Sequence, residues 1–175
     1  MTEEALPPGA PPASAPGSTI QETGGEPASQ PEPDSLLAMI QPTTAPNVAA
    51  ATRRVQAARA ELHAGRTDAA VENLEQAIAI DPNNAYAYYF LAEIHFTGGS
   101  YDQAVVFADK AALLSARLEP SWASRSYCLQ GRIFEASGRF ADARASYAQA
   151  IEADEENRTA WEGLVRLGGA PPERP

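Results

Sequence analysis

Three stretches of this chain repeat one another, and the interval between them restricts the fold more than any other feature. GRTDAAVENLEQAIAIDPNN begins at Gly65, GSYDQAVVFADKAALLSA at Gly99 and GRFADARASYAQAIEADEEN at Gly138, intervals of 34 and then 39 residues. Periods of this length mark stacked supersecondary units, none of which can bury its apolar face alone. Each unit divides into two helices. The glycine ends one helix and turns the chain, because it tolerates positive φ without a Cβ penalty. The second helix then sets small residues at fixed offsets: Ala70, Leu74 and Ala77; Ala104, Ala108 and Ala111; Ala143, Tyr147 and Ala150. Spacings of four and three put each trio on one helical face. Alanine on that face lets two helix axes approach, and the larger residue fills the space between them. Pro82 acts as a stop signal after the first pair.

Composition changes near residue 47. Residues 1–47 hold ten of the fifteen prolines, six acids and no Lys or Arg. Such a segment buries too little apolar surface to offset its ordering entropy, so a disordered tail is expected over 1–47, with a second disordered end over 169–175. One island interrupts the tail, DSLLAMI at 34–40. Asp34 or Ser35 suits the N-cap of a helical turn, and Leu36, Leu37, Met39 and Ile40 are apolar. Two readings stand side by side: chance hydrophobicity in a linker, or a short motif that docks on a groove of this chain or of a partner.

Charge and residue usage exclude several function classes. The net charge of −10, with 12 Arg and Lys110 as the single lysine, argues against phosphate backbones and anionic membrane surfaces. The many Ala and Arg beside one Lys point to a GC-rich genome. The start MTEEALPPGAPPASAPG resembles neither an export signal nor a transit peptide. No stretch approaches the roughly 20 apolar residues of a membrane span. The expectation is a cytoplasmic protein, or a periplasmic one if an export signal precedes this start. Cys128, the one cysteine, forms no intramolecular disulfide.

The repeats resemble the tetratricopeptide repeat, whose pattern runs W-x2-L-G-x2-Y…A-x3-F…P over 34 residues. The second unit fills the first-helix slots with Tyr88, Leu91, Ala92 and His95. The third gives Tyr127, Gln130, Gly131 and Phe134, and the first, the weakest, Arg54, Ala57, Ala58 and Glu61. In RTAWEGLVRL, Trp161, Leu164 and Val165 take the same slots and read as a capping helix. The resemblance implies an all-α, right-handed α-solenoid of helix-turn-helix repeats over 48–168, with repeats near 51–84, 85–118 and 120–157 and a cap at 158–167. The third repeat departs from the family by five extra residues before it. Pro120 and Trp122 suggest a first helix lengthened by about one turn.

The stretch AYAYYFLAEIHF at 85–96 concentrates aromatics. By the resemblance, Tyr88, Leu91, Ala92 and His95 pack inside, while flanking positions line a concave groove. These are Val55, Arg59 and Leu62 from the first repeat, Tyr86, Tyr89, Phe90, Glu93 and Phe96 from the second, and Arg125, Cys128 and Arg132 from the third. Helical geometry independently sets Tyr86, Tyr89, Glu93 and Phe96 on one face. That face either grips a partner or packs between repeats, or receives the chain's own tail. Chaperone-binding members of the family clamp a terminal carboxylate with Lys and Asn. Here the corresponding positions carry Val55, Arg59, Phe90, Arg125 and Leu129, so that activity is not carried over.

No catalytic or metal-binding pattern emerges. His63 and His95 have no acidic neighbours at ligand spacing. Cys128 stands near Arg125 and Arg132, which would lower a thiol's pKa if it faced them; the alternative is a small apolar filler. Gly-rich phosphate loops and G-x-S-x-G are missing. The expectation is therefore a non-enzymatic adaptor without cofactor or metal. It would bind a protein segment with apolar anchors and acidic residues, make no use of nucleic acid and insert in no membrane, as a monomer or weak homodimer. The rivals are a self-associating or tail-autoinhibited component of a larger envelope or secretion assembly, and a thiol-dependent activity at Cys128.

Overall fold

The computed structural model describes residues 35–116 and 119–169. Expectations for 1–34, for 117–118 and for 170–175 lie outside the described residues.

The described chain is a 3₁₀ turn, Leu36–Met39, followed by seven helices: α1 Pro46–His63, α2 Thr67–Ile80, α3 Ala85–Thr97, α4 Tyr101–Ser115, α5 Pro120–Ala136, α6 Phe140–Ala153 and α7 Arg158–Arg166. Residues 35–47 depart from the disordered tail expected there. Ser35 accepts a hydrogen bond from the Leu37 N–H and Pro46 opens α1, so local capping and proline at a helix start give this stretch order.

Two turn motifs set the period. The first closes each odd-numbered helix. At α1, Gly65 takes φ 73°, its N–H bonds the Leu62 carbonyl, and the Arg66 N–H reaches the Glu61 carbonyl at 2.9 Å. This is a Schellman closure, which needs a left-handed residue at its centre. The same pair of bonds recurs after α3, α5 and α7. The second motif joins an even helix to the next odd one through D-x-x-N. The Asp81 carboxylate accepts from the Asn83 N–H, and the Asn84 side chain then caps α3 through the Ala87 N–H at 3.0 Å. Asp154 and Asn157 repeat this at the start of α7. Between α4 and α5 the motif is missing, and Pro120 opens α5 instead.

The three small-residue trios are fully buried, as close packing of paired helices requires. Neighbouring helices in sequence pack on one another. The odd helices α1, α3, α5 and α7 also touch their like neighbours in order, whereas α2, α4 and α6 make no such contacts among the described residues. Odd helices closer together than even ones curve the stack, with α1, α3 and α5 on its inner side. The last repeat is closed by α7. The Tyr147 ring lies against Gly131 of α5 and Gly163 of α7, where an added Cβ would meet it at 2.7 and 2.5 Å. Tyr147 donates to Glu135 at 2.8 Å, and Glu135 also accepts two bonds from Arg166 at 2.7 and 2.8 Å.

Two slots assigned to the core differ. Leu91 and Ala92 are buried, but Tyr88 and His95 are half-buried. Both lie against Phe107 of α4, at 6.5 and 5.1 Å between ring centroids, and the Tyr88 hydroxyl donates to the Pro82 carbonyl. The polar edges of these rings stay near the surface because water and backbone satisfy them there. Val165 of the capping helix is exposed, while Ala160 and Leu164 are buried.

Candidate functional site

The inner face of α1, α3 and α5 is an aromatic floor under arginines. Trp122, in the first turn of α5, is its centre. Tyr86, Tyr89 and Phe90 of α3 meet the indole ring at 4.7, 5.5 and 6.5 Å between centroids, in edge-to-face geometry. Such arrangements match the positive edge of one ring to the negative face of another. Three guanidinium groups lie over this floor: Arg59 of α1 over Phe90 at 5.6 Å, Arg125 over Trp122 at 5.1 Å, and Arg132 over Phe96 at 5.1 Å. Each contact is a cation–π pair, and each draws helices of successive repeats together or fixes an arginine along one helix.

One carboxylate sits among them. Glu93 accepts a hydrogen bond from the Tyr89 hydroxyl at 3.3 Å. Burial raises its pKa above the ordinary carboxylate range; the Tyr89 bond and then Arg132, Arg59 and Arg125 pull the other way. The three arginines thus converge on one point of the face. Tyr89 is pushed well above the usual phenol range, by burial first and then by Glu93. Burial, with Glu119 adding to it, raises Tyr86 to about 12.

The expected groove residues fall into two groups. Arg125 and Arg132 are exposed, and Arg59, Leu62, Tyr89, Glu93 and Phe96 are half-buried, so these seven offer surface on the inner face. Val55, Tyr86, Phe90 and Cys128 are buried. They form the floor's support rather than a contact surface, because the ring of Trp122 and the adjoining helices cover them. Of the two readings of Cys128, the packing fits the small apolar filler and not the thiol activated by arginine. Burial raises Cys128 to about 11 and Arg132 opposes only in part, so it stays a thiol at neutral pH. It packs in the cluster of Phe134, Tyr147 and Leu164. No group of three or more His, Cys, Asp or Glu that could hold a metal occurs among the described residues.

The groove has a covered end and an open end. At the open end, Leu62, Glu93, Ile94, Phe96, Thr97 and Arg132 surround a cavity of about 240 Å³. Towards the helix N-termini the 3₁₀ turn enters: Leu36 is 1% exposed and belongs to the apolar cluster of Val55, Tyr86, Phe90 and Trp122, with Met39 packed against it. Sequence reasoning missed Trp122 as the centre of the site, although Trp122 and Arg125 stand at the i, i+3 spacing of a stacked pair. It also missed Gln56, whose Oε1 accepts both the Leu36 N–H at 3.2 Å and Arg59 Nη1 at 3.4 Å. Elsewhere, a shallow hollow of about 640 Å³ at the α3–α4 turn is bounded by Gly99, Ser100, Tyr101 and Asp102 and by the end of α5.

A curved stack of helix pairs with a concave, aromatic-floored face defines a helical-repeat domain. Tetratricopeptide repeat models match residues 61–123 and 128–168, and the chain belongs to that family. Human tetratricopeptide repeat protein 28 is 29% identical over 167 residues, covering 95% of this chain but only 6% of that protein's length. The fold is similar to the N-terminal domain of stress-induced protein-1 from C. elegans, with TM-score 0.63, 16% identity, and coverage of 71% of this chain and 99% of that domain. It is also similar to the second TPR domain of human RPAP3, determined in complex with the HSP70 peptide SGPTIEEVD, with TM-score 0.59, 18% identity, and coverage of 71% and 97%.

Proposed function

We propose that this chain is a protein-interaction adaptor whose groove, lined by α1, α3 and α5, captures a segment of a partner protein. The observation that carries this is the convergence of Arg59, Arg125 and Arg132 over Phe90, Trp122 and Phe96, around a half-buried Glu93. The half-buried rings of Tyr89 and Phe96 offer contact area at low rotamer cost, and arginine orients carboxylates through its planar fork. A segment with apolar anchors flanked by acidic residues fits both. The peptide-bound state of a structural neighbour supports the same use of the fold. The terminal-carboxylate clamp of Lys and Asn is not part of the proposal, since Val55, Arg59, Phe90, Arg125 and Leu129 stand there. The reading assigns the chain no catalytic step, cofactor or nucleic acid. No helix among the described residues is long and apolar enough to cross a membrane.

Charge reversal tests it. A crosslinking pull-down from the native host is run with the wild-type chain and with Arg125→Glu/Arg132→Glu, two exposed sites whose change spares the core. Helicity and melting temperature are matched first. A partner held by the wild type and lost from the variant is the expected result. Equal recovery of every partner by both proteins would move the working surface away from this groove.

A further inference from the structure

The groove already holds a peptide-length segment, and it belongs to this chain. Leu36 is buried in the aromatic cluster, Leu37 points outward, and Met39 returns to the apolar floor. This is the face pattern of a 3₁₀ turn, in which i and i+3 eclipse. The segment is recognised through its backbone as well, by the Leu36 N–H donated to Gln56, which Arg59 in turn holds. A tight turn joins it to α1, closed by the Thr44 N–H to the Gln41 carbonyl and the Gln41 N–H to Thr44 Oγ1, both 2.9 Å. The fit is incomplete. A cleft of about 810 Å³ runs beside Met39 and Ile40 towards Asn84, Tyr86 and Glu119. Leu36 is the one apolar side chain of the turn that is fully buried, so few contacts hold the segment down.

We propose that residues 35–40 are a displaceable resident occupant of the groove, and that the partner segment which replaces them carries the same pattern. That pattern is a leucine with a donating backbone N–H, an outward residue after it, and a flexible apolar residue three positions beyond the leucine. Carboxylates would precede the leucine, on the side of Arg132 at the open end of the groove. The inference rests on the groove reading above and adds to it the chemistry of the partner and a built-in competitor. A tethered segment acts at an effective concentration of millimolar order. If its own dissociation constant is about 100 µM, it weakens an incoming ligand by on the order of 10-fold.

The probe is a fluorescein-labelled peptide of residues 33–42, PDSLLAMIQP, titrated by anisotropy into the full chain. Leu36→Asp is expected to bind it at least ~10-fold more tightly than the wild type does. In that background Gln56→Ala is expected to weaken binding about 5-fold, the worth of one hydrogen bond. Leu36→Ala removes the anchor without adding a charge and serves if Leu36→Asp fails to fold. Hydrogen exchange on the unmodified chain needs no variant: amides 36–40 are expected to exchange at least ~10-fold faster than those in the middle of α1, by local opening. Equal affinity of wild type and variant for the peptide would overturn the resident-competitor claim and leave the groove reading standing. No binding by any variant would overturn the recognition pattern, and the arginine reversals then judge the groove independently. Exchange of amides 36–40 only with global unfolding would make the segment a fixed part of the core and also overturn the proposal.

Discussion

Tyr147 shows how much one side chain decides. Its ring occupies the space between α5 and α7 that exists only because residues 131 and 163 are glycines. Gly163→Ala places a methyl group against a fully buried ring, and overpacking of this kind costs about 1–3 kcal/mol. The shift of the urea midpoint measures it, and an unchanged midpoint would show that the cap yields freely. Glu93 gives a second prediction at this scale. Its folded pKa lies above its unfolded value because of burial. A carboxylate so raised opposes folding at neutral pH, and that opposition fades as pH falls through the folded pKa. Glu93→Gln is therefore expected to raise the melting temperature at pH 7 and to lose that advantage in acid; a lower melting temperature at pH 7 would mean the arginine contacts outweigh burial. The trios of small residues were legible in the sequence because spacing alone fixes a helical face. The edges of Tyr88 and His95 were not, since the position of Phe107 across the helix pair decides how far each ring sinks.

At the scale of elements, the recurring turns carry the period. Asn157 caps α7 through the Ala160 N–H, and its amide donates to Ser124 Oγ at 2.7 Å, which in turn donates to the Ala150 carbonyl. Asn157→Ala removes a cap and a partner of a buried hydroxyl, at a cost of about 1–2 kcal/mol by urea unfolding. The Glu135–Arg166 pair predicts a pH dependence of the opposite sign to Glu93. The bond from Arg166, first among its causes, holds the Glu135 carboxyl below the ordinary range. Its contribution is present above the unfolded carboxylate pKa and is lost as pH falls through the folded one. Arg166→Gln is expected to lower the melting temperature at pH 7 and to converge with the wild type in acid. A gap that persists there would assign the effect to packing. Glycine turns were legible from sequence because only glycine closes a helix so readily. The 3₁₀ turn was visible as an apolar island, but four residues give no periodicity from which to tell a docked motif from a linker. Trp122 escaped the site because the extra residues before α5 shift it out of the repeat register.

Across the whole molecule, curvature turns repetition into a site. Contacts among odd helices gather residues from three repeats, so Arg59, Glu93 and Arg132 meet although their sequence positions are far apart. The acidic chain as a whole carries a small basic concentration on its inner face, and the proposal of an acidic partner segment rests on that contrast. That face is the proposed working surface. Site-specific photocrosslinking in the native host tests it most directly, with p-benzoylphenylalanine replacing Thr97 at the open end of the groove or Val106 on the exposed side of α4. A discrete adduct from position 97, absent from position 106 and lost when Arg125 and Arg132 are reversed to Glu, is the predicted result. Adducts from position 106 alone would contradict it and place the interaction on the outer helices.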